Sequence, residues 1–135
     1  KEQGADILCG GAPLDGKGYF YPPTIVANIS DGTRLVDEEQ FGPVLPVIRY
    51  SDIDDAVARA NNCSVGLGGS VWSTDIEKAQ QIAQRLECGT VWINGHAEVL
   101  PHAPFGGCKM SGFGVEFGLA GLMEYTVPQT ININK

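Results

Sequence analysis

Between Val44 and Asn94 the hydrophobic rhythm passes back and forth between strand period and helix period, and that alternation limits what this chain can fold into. Val44-Leu45-Pro46-Val47-Ile48-Arg49-Tyr50 is an apolar run of strand length. Ser51-Asp52-Ile53-Asp54 then has the form of a capping box, in which a serine and a carboxylate three residues on satisfy free amides. Ile53, Ala56, Val57 and Ala60 follow at helical spacing, so one face is apolar, and Asn61-Asn62 stops the helix. Gly69-Ser70-Val71-Trp72 reads as the next strand. Thr74-Asp75-Ile76-Glu77 is a second capping box, ahead of a stripe of Ile76, Ala79, Ala83 and Leu86. Gly89 is placed to end that helix in a left-handed conformation, and Thr90-Val91-Trp92-Ile93-Asn94 is the third strand. Short connections between alternating elements predict an α/β fold of consecutive βαβ units, with a mostly parallel sheet and right-handed crossovers. The strands are apolar on both faces, as in sheets covered on both sides by helices.

The flanks are less regular. Ile7-Leu8-Cys9 before Gly10-Gly11 predicts a short strand, and Tyr19 to Val26, interrupted by Pro22-Pro23, predicts an extended edge segment. Residues 95–115 form a long loop, of a length that is usually functional inside a compact domain. Glu116 to Tyr125 is expected to be helical despite Gly118 and Gly121. Gln129-Thr130-Ile131-Asn132-Ile133-Asn134 alternates like a strand with one buried face.

Composition narrows the function classes. A net charge of -7 argues against an extended footprint for nucleic acid or anionic membrane. The apolar runs are broken within a few residues, far short of the roughly 18–20 needed to span a bilayer; the expectation is a soluble, cytoplasmic protein. Cys9, Cys63, Cys88 and Cys108 are widely spaced, with no C-x-x-C pair and no metal-ligand pattern, so free thiols and no metal site are expected. Gly66-Leu67-Gly68 and Gly112-Phe113-Gly114 begin like a dinucleotide fingerprint, but neither has the third glycine in place and the first precedes a strand where the fingerprint follows one. Lys109 and Ser111 are better read as helping to fold the loop than as phosphate ligands.

Two short segments carry the chemistry. In Asp37-Glu38-Glu39-Gln40-Phe41-Gly42-Pro43-Val44 a carboxylate pair and an aromatic precede a rigid Gly-Pro corner. A carboxylate such as Glu39 can accept two hydrogen bonds from a vicinal diol, a geometry suited to a ribose; the bland alternative is a solvated turn. The second segment is Pro104-Phe105-Gly106-Gly107-Cys108-Lys109-Met110-Ser111-Gly112-Phe113-Gly114. Its neighbourhood holds His96, Glu98, His102 and Cys108, from which a Cys-His pair could in principle make a thiolate nucleophile. The alternative is that these residues serve loop shape and polarity.

In this order and at about this separation, the two segments resemble the C-terminal part of the NAD(P)-dependent aldehyde dehydrogenase superfamily, which writes them E-E-x-F-G-P-V and P-F-G-G-x-K-x-S-G-x-G. The resemblance runs from about Gly4 to the last residue. It implies residues 1–125 as the C-terminal part of a catalytic domain and 126–135 as an oligomerisation strand that pairs with a partner subunit; Pro128 departs from the usual pattern there. It implies NAD or NADP as cofactor, with Glu39 holding the nicotinamide ribose and Phe41 packing beside the nicotinamide. The loop from Asn94 to Phe105 would line the aldehyde entrance, with Phe105 as an aromatic wall and Val99 at a position that varies with substrate; simple core packing of Phe105 against Gly106-Gly107 stays open. The family's nucleophilic cysteine and glutamate base lie upstream of the first segment, and its nucleophile motif occurs nowhere here. The chain, which starts at Lys1, therefore reads as a fragment that carries no catalytic residue, and the variable position of Cys108 makes it a bystander. The implied parent oxidises an aldehyde to a carboxylic acid, associates with the rest of its chain and forms a homo-oligomer. A non-catalytic assembly module derived from the same family, and a cysteine hydrolase using Cys108 with His102, are the other readings.

Overall fold

The computed structural model describes residues 4–135 and divides into two compact units, one ending at Ile53 and one running from Asp54 to Lys135. In the first, β1 (Asp6–Cys9), β2 (Thr24–Ala27) and β3 (Val44–Pro46) form a three-stranded sheet in that order. β1 runs antiparallel to β2, with a register irregularity between Ile7 and Cys9, and β3 runs parallel to β2. A parallel pair needs a crossover, and here it contains the short helix α1 (Arg34–Asp37), which sequence reasoning missed.

The expectation of an edge segment at Tyr19–Val26 is overturned. β2 is the central strand, because Pro22 and Pro23 precede the ladder and every residue of Thr24–Ala27 keeps its N–H. Thr24 and Val26 face inward at 3% and 6% exposure while Ile25 faces out. The buried Thr24 hydroxyl is satisfied: it donates to the Pro22 carbonyl at 3.0 Å and accepts from the Gly11 N–H at 2.9 Å.

The second unit opens with α2 (Ile53–Asn61), followed by β4 (Val65–Gly66), β5 (Gly68–Val71), α3 (Ile76–Ala83), β6 (Thr90–Ile93), β7 (Cys108–Lys109) and α4 (Gly118–Met123). β5 and β6 pair in parallel from Gly68↔Thr90 to Val71↔Ile93, with α3 packed on both. Ala79, with no exposed surface, sits at the centre of that packing. β4 and β7 form a separate antiparallel pair. Of the expected consecutive βαβ units, β5–α3–β6 is present as a parallel pair with its helix, but the described strands form three small sheets in a mixed α/β arrangement and not one sheet, and the ladder partner of β3 is β2. A continuous apolar run does not carry the identity of the neighbouring strand.

Several boundaries move for local reasons. The α3 cap is Asp75, not Thr74: its Oδ1 accepts from Lys78 N–H at 3.0 Å, and the Ser73 hydroxyl accepts from Asp75 N–H at 3.1 Å. α3 ends at Ala83, so Gly89 is not its cap. Gly89 is instead a point of contact, where an added Cβ would lie 1.6 Å from the Gly106 carbonyl oxygen. Residues 126–135 form no strand and are exposed. Val26, Val57 and Ala79 are the buried apolar residues among those described, and no large side chain is fully buried.

Gly89→Ala is expected to destabilise the full protein by about 1–3 kcal/mol or more, the usual cost of forcing atoms into occupied space. A urea midpoint unchanged by the substitution would show that the Gly89–Gly106 approach is not structurally required.

Candidate functional site

In the first unit, α1 leads directly into the carboxylate pair. The side chain of Asp37 accepts from the Gly32 N–H at 3.0 Å and closes the preceding loop. Arg34, one helical turn before Glu38, grips it with both prongs of its guanidinium, Nε to Oε1 at 3.0 Å and Nη2 to Oε2 at 2.9 Å. That hydrogen bonding holds the Glu38 carboxyl below its ordinary value. Because the folded-state value is the lower one, the small contribution of this exposed pair is present above the ordinary carboxylate range and is lost as pH falls through the folded value.

Beyond Glu38 the chain is pinned from the other side. The Gln40 amide donates to the Val44 carbonyl, Val44 N–H donates to the Gly42 carbonyl at 2.9 Å, and Thr24 N–H donates to the Pro43 carbonyl at 2.8 Å. Glu39 stands between these anchored points, exposed, and its carboxylate takes no hydrogen bond or ion pair from the described residues. Phe41 is 94% exposed on the same turn. Two adjacent, chemically identical side chains are thus separated by one arginine, which occupies Glu38 and leaves Glu39 free. Arg34 was missed by sequence reasoning, although its four-residue spacing from Glu38 was a readable signal.

In the second unit, Asn94 ends β6 in a left-handed conformation, with φ 54°. Its side chain clasps Ser73, accepting from the Ser73 N–H and donating to the Ser73 carbonyl, both at 2.8 Å. The carboxyl ends of β5 and β6 are held together there, and the loop starts from that point. Trp92 Nε1 donates to the Glu98 carbonyl at 2.8 Å and so holds the residue next to Val99. The Trp92 ring lies 5.2 Å from His96, edge-on, and 6.5 Å from Phe105. Phe105 is half-buried, exchanges two backbone hydrogen bonds with Glu116, each 2.8 Å, and borders an open cavity of about 350 Å³ shared with Leu67, Ser111 and Tyr125. Val99 is 41% exposed. Val99 and Phe105 thus belong to one loop organised around Trp92, which sequence reasoning had read only as a strand residue.

No Cys-His pair is assembled. The Cys108 thiol donates to the carbonyls of Glu87 at 3.2 Å and Gly66 at 3.4 Å, and no described contact joins it to His96 or His102. Burial pushes the Cys88 thiol up, neighbouring Cys108 adds to the shift and Lys109 opposes it. Among the described residues there is no cluster of three or more His, Cys, Asp or Glu able to hold a metal ion, and no helix long and apolar enough to cross a membrane.

The family model of the aldehyde dehydrogenase family matches residues 1–131. The chain is 45% identical to aldehyde dehydrogenase 1A1 of Gallus gallus and 44% identical to the mitochondrial aldehyde dehydrogenase of Equus caballus, in both cases over 98% of its own length. It spans 26% and 27% of those two proteins, about a quarter of each. Among solved structures it is similar to a betaine aldehyde dehydrogenase from Staphylococcus aureus in complex with NAD+, with a TM-score of 0.86 and 40% identity over 97% of this chain and 28% of that one. It is likewise similar to an aldehyde dehydrogenase from Bacillus cereus, with a TM-score of 0.88, 41% identity and coverage of 93% and 26%. The chain belongs to the aldehyde dehydrogenase family.

Proposed function

We propose that this chain is the segment of an NAD(P)+-dependent aldehyde dehydrogenase that supplies the ribose clamp, part of the aldehyde entrance and a subunit contact. The observation that carries the reading is the Glu39 carboxylate, engaged by none of the described residues, on a turn anchored on both sides and next to exposed Phe41. Two carboxylate oxygens accept from a vicinal diol without rearrangement, and an aromatic two residues on offers a flat face to a nicotinamide ring. When bound, the cofactor would take up the hydride lost from the aldehyde carbon as aldehyde and water become a carboxylic acid, with one proton released. Glu39 and Phe41 orient; Val99 and Phe105 shape the aldehyde's approach and exclude water.

Cys108 takes no part in this chemistry, its thiol being spent on two backbone carbonyls. In this reading the nucleophile is a different cysteine of the enzyme, residues 1–125 are part of its catalytic domain, and residues 126–135 pair as a strand with a partner subunit. Exposed Val127, Ile131 and Ile133 give that strand an apolar face to bury. The proposed setting is the cytoplasm.

In the enzyme, Glu39→Gln is expected to raise the cofactor KM and lower kcat. A hydrogen bond to a charged group is worth roughly 1.5–3 kcal/mol, and misplacing the reacting ring adds to the barrier. Glu38→Gln, whose amide oxygen still accepts from Arg34 and so keeps the anchor, should leave cofactor kinetics unchanged. Equal effects at the two positions, or none at Glu39, would refute the clamp. Deleting residues 127–135 should reduce assembly, measured by light scattering; an unchanged mass would rule out the intersubunit strand.

A further inference from the structure

The end of α2, the turn after α3 and the 105–116 loop meet at one polar node. Asn61 is the last residue of α2, where helix carbonyls lack intrahelical partners. Its side chain bridges the turn after α3, with Nδ2 donating to the Arg85 carbonyl at 2.8 Å and Oδ1 accepting from the Glu87 N–H at 2.9 Å. Its free main-chain carbonyl accepts from Lys109 Nζ at 2.6 Å, a cation placed where the helix dipole is negative. The same ammonium pairs with the Glu87 carboxylate at 2.9 Å. Lys109 itself is left-handed, with φ 57°, a conformation that a long side chain holds only when its surroundings impose it. Directly after it the loop reverses, Met110 N–H bonding to the Ser64 carbonyl at 2.8 Å and Gly66 N–H to Ser111 Oγ at 3.0 Å.

We infer that Asn61 and Lys109 are positioning residues for the aldehyde: with Glu87 they lock the loop onto the ends of two helices and thereby set where Phe105 stands. This rests on the reading of Phe105 as a wall of the aldehyde entrance. Phe105 lies four residues before Lys109 and is tethered at its other end by Glu116. Loosening the node lets the Phe105 segment drift from Trp92.

The test uses the full-length enzyme carrying this segment. Lys109→Met keeps the length of the side chain but removes its three donors. It should raise the aldehyde KM roughly tenfold, the scale on which loss of a charge-assisted hydrogen bond is felt, with cofactor KM and saturated kcat near the parent's. Lys109→Arg should restore the parent value. Glu87→Gln, at an exposed carboxylate, should shift the aldehyde KM in the same direction by less, and it carries the test if Lys109→Met does not fold. A second readout is independent of turnover: because the Cys108 thiol bonds to the Glu87 carbonyl, its alkylation, mapped by mass spectrometry, should quicken in Lys109→Met and not in Lys109→Arg. A lowered thermal midpoint with kcat reduced and the aldehyde KM unmoved would make the node merely structural and overturn the inference. So would faster Cys108 alkylation with an unchanged aldehyde KM. Failure of the Glu39 clamp shows in cofactor kinetics, so the two failures are told apart.

Discussion

The second unit depends on a place where backbone meets backbone with no side chain between. Gly89 faces the carbonyl of Gly106 so closely that any Cβ would occupy the same space. The Gly89 N–H donates to the Gly66 carbonyl at 3.1 Å, and the next residue continues the contact, Thr90 N–H to the Leu67 carbonyl at 3.2 Å. The Gly66 carbonyl also receives the Cys108 thiol. Three distant stretches of chain are thereby joined at one seam. The register of β5 on β6, the short β4–β7 pair and the path of the loop beyond Phe105 all lean on it. Glycine is required there for space and not for a left-handed turn.

That distinction explains much of what could and could not be read in the sequence. The periodic stripes located α2, α3 and β6 because amphipathic spacing is a local property, set by which residues face the interior. Strand partnership is not local. Val44-Leu45-Pro46 is apolar whichever strand lies beside it, and nothing within the run named β2 as its neighbour. Caps failed by one residue at α3 because Ser73, Thr74 and Asp75 can all cap, and the choice fell to whichever pair of bonds the backbone could close together. The Ile131 and Ile133 alternation is a strand pattern without a strand beside it in this chain, and an unpaired strand has no hydrogen bonds to hold it extended.

The candidate site was legible in a different way. Phe41, Val99 and Phe105 came from a resemblance carried by two segments, and Glu39 from that resemblance together with the capacity of a carboxylate to bind a vicinal diol. The supporting geometry was out of reach of sequence reasoning. Nothing in Glu38-Glu39 says which carboxylate is engaged until Arg34 is seen to hold one of them. Nor does a strand residue such as Trp92 announce that its indole N–H will fix the loop five residues beyond the strand end through the Glu98 carbonyl.

The Arg34–Glu38 pair also sets a parity. Glu38 lies in extended backbone, at φ −104° and ψ 134°, where successive side chains leave on opposite sides. Anchoring Glu38 back toward α1 therefore directs its neighbour away from the helix, so the arginine decides the facing of a residue it never touches. A one-residue deletion between Arg34 and the motif would reverse that phase, bringing the second glutamate to the fourth position after the arginine. The first glutamate would then face outward, and the second would be drawn under the guanidinium. Every residue of the motif would still be present, in its original order, with the other carboxylate offered to solvent. The helical spacing between Arg34 and Glu38 is thus as much a part of the motif as the glutamates themselves.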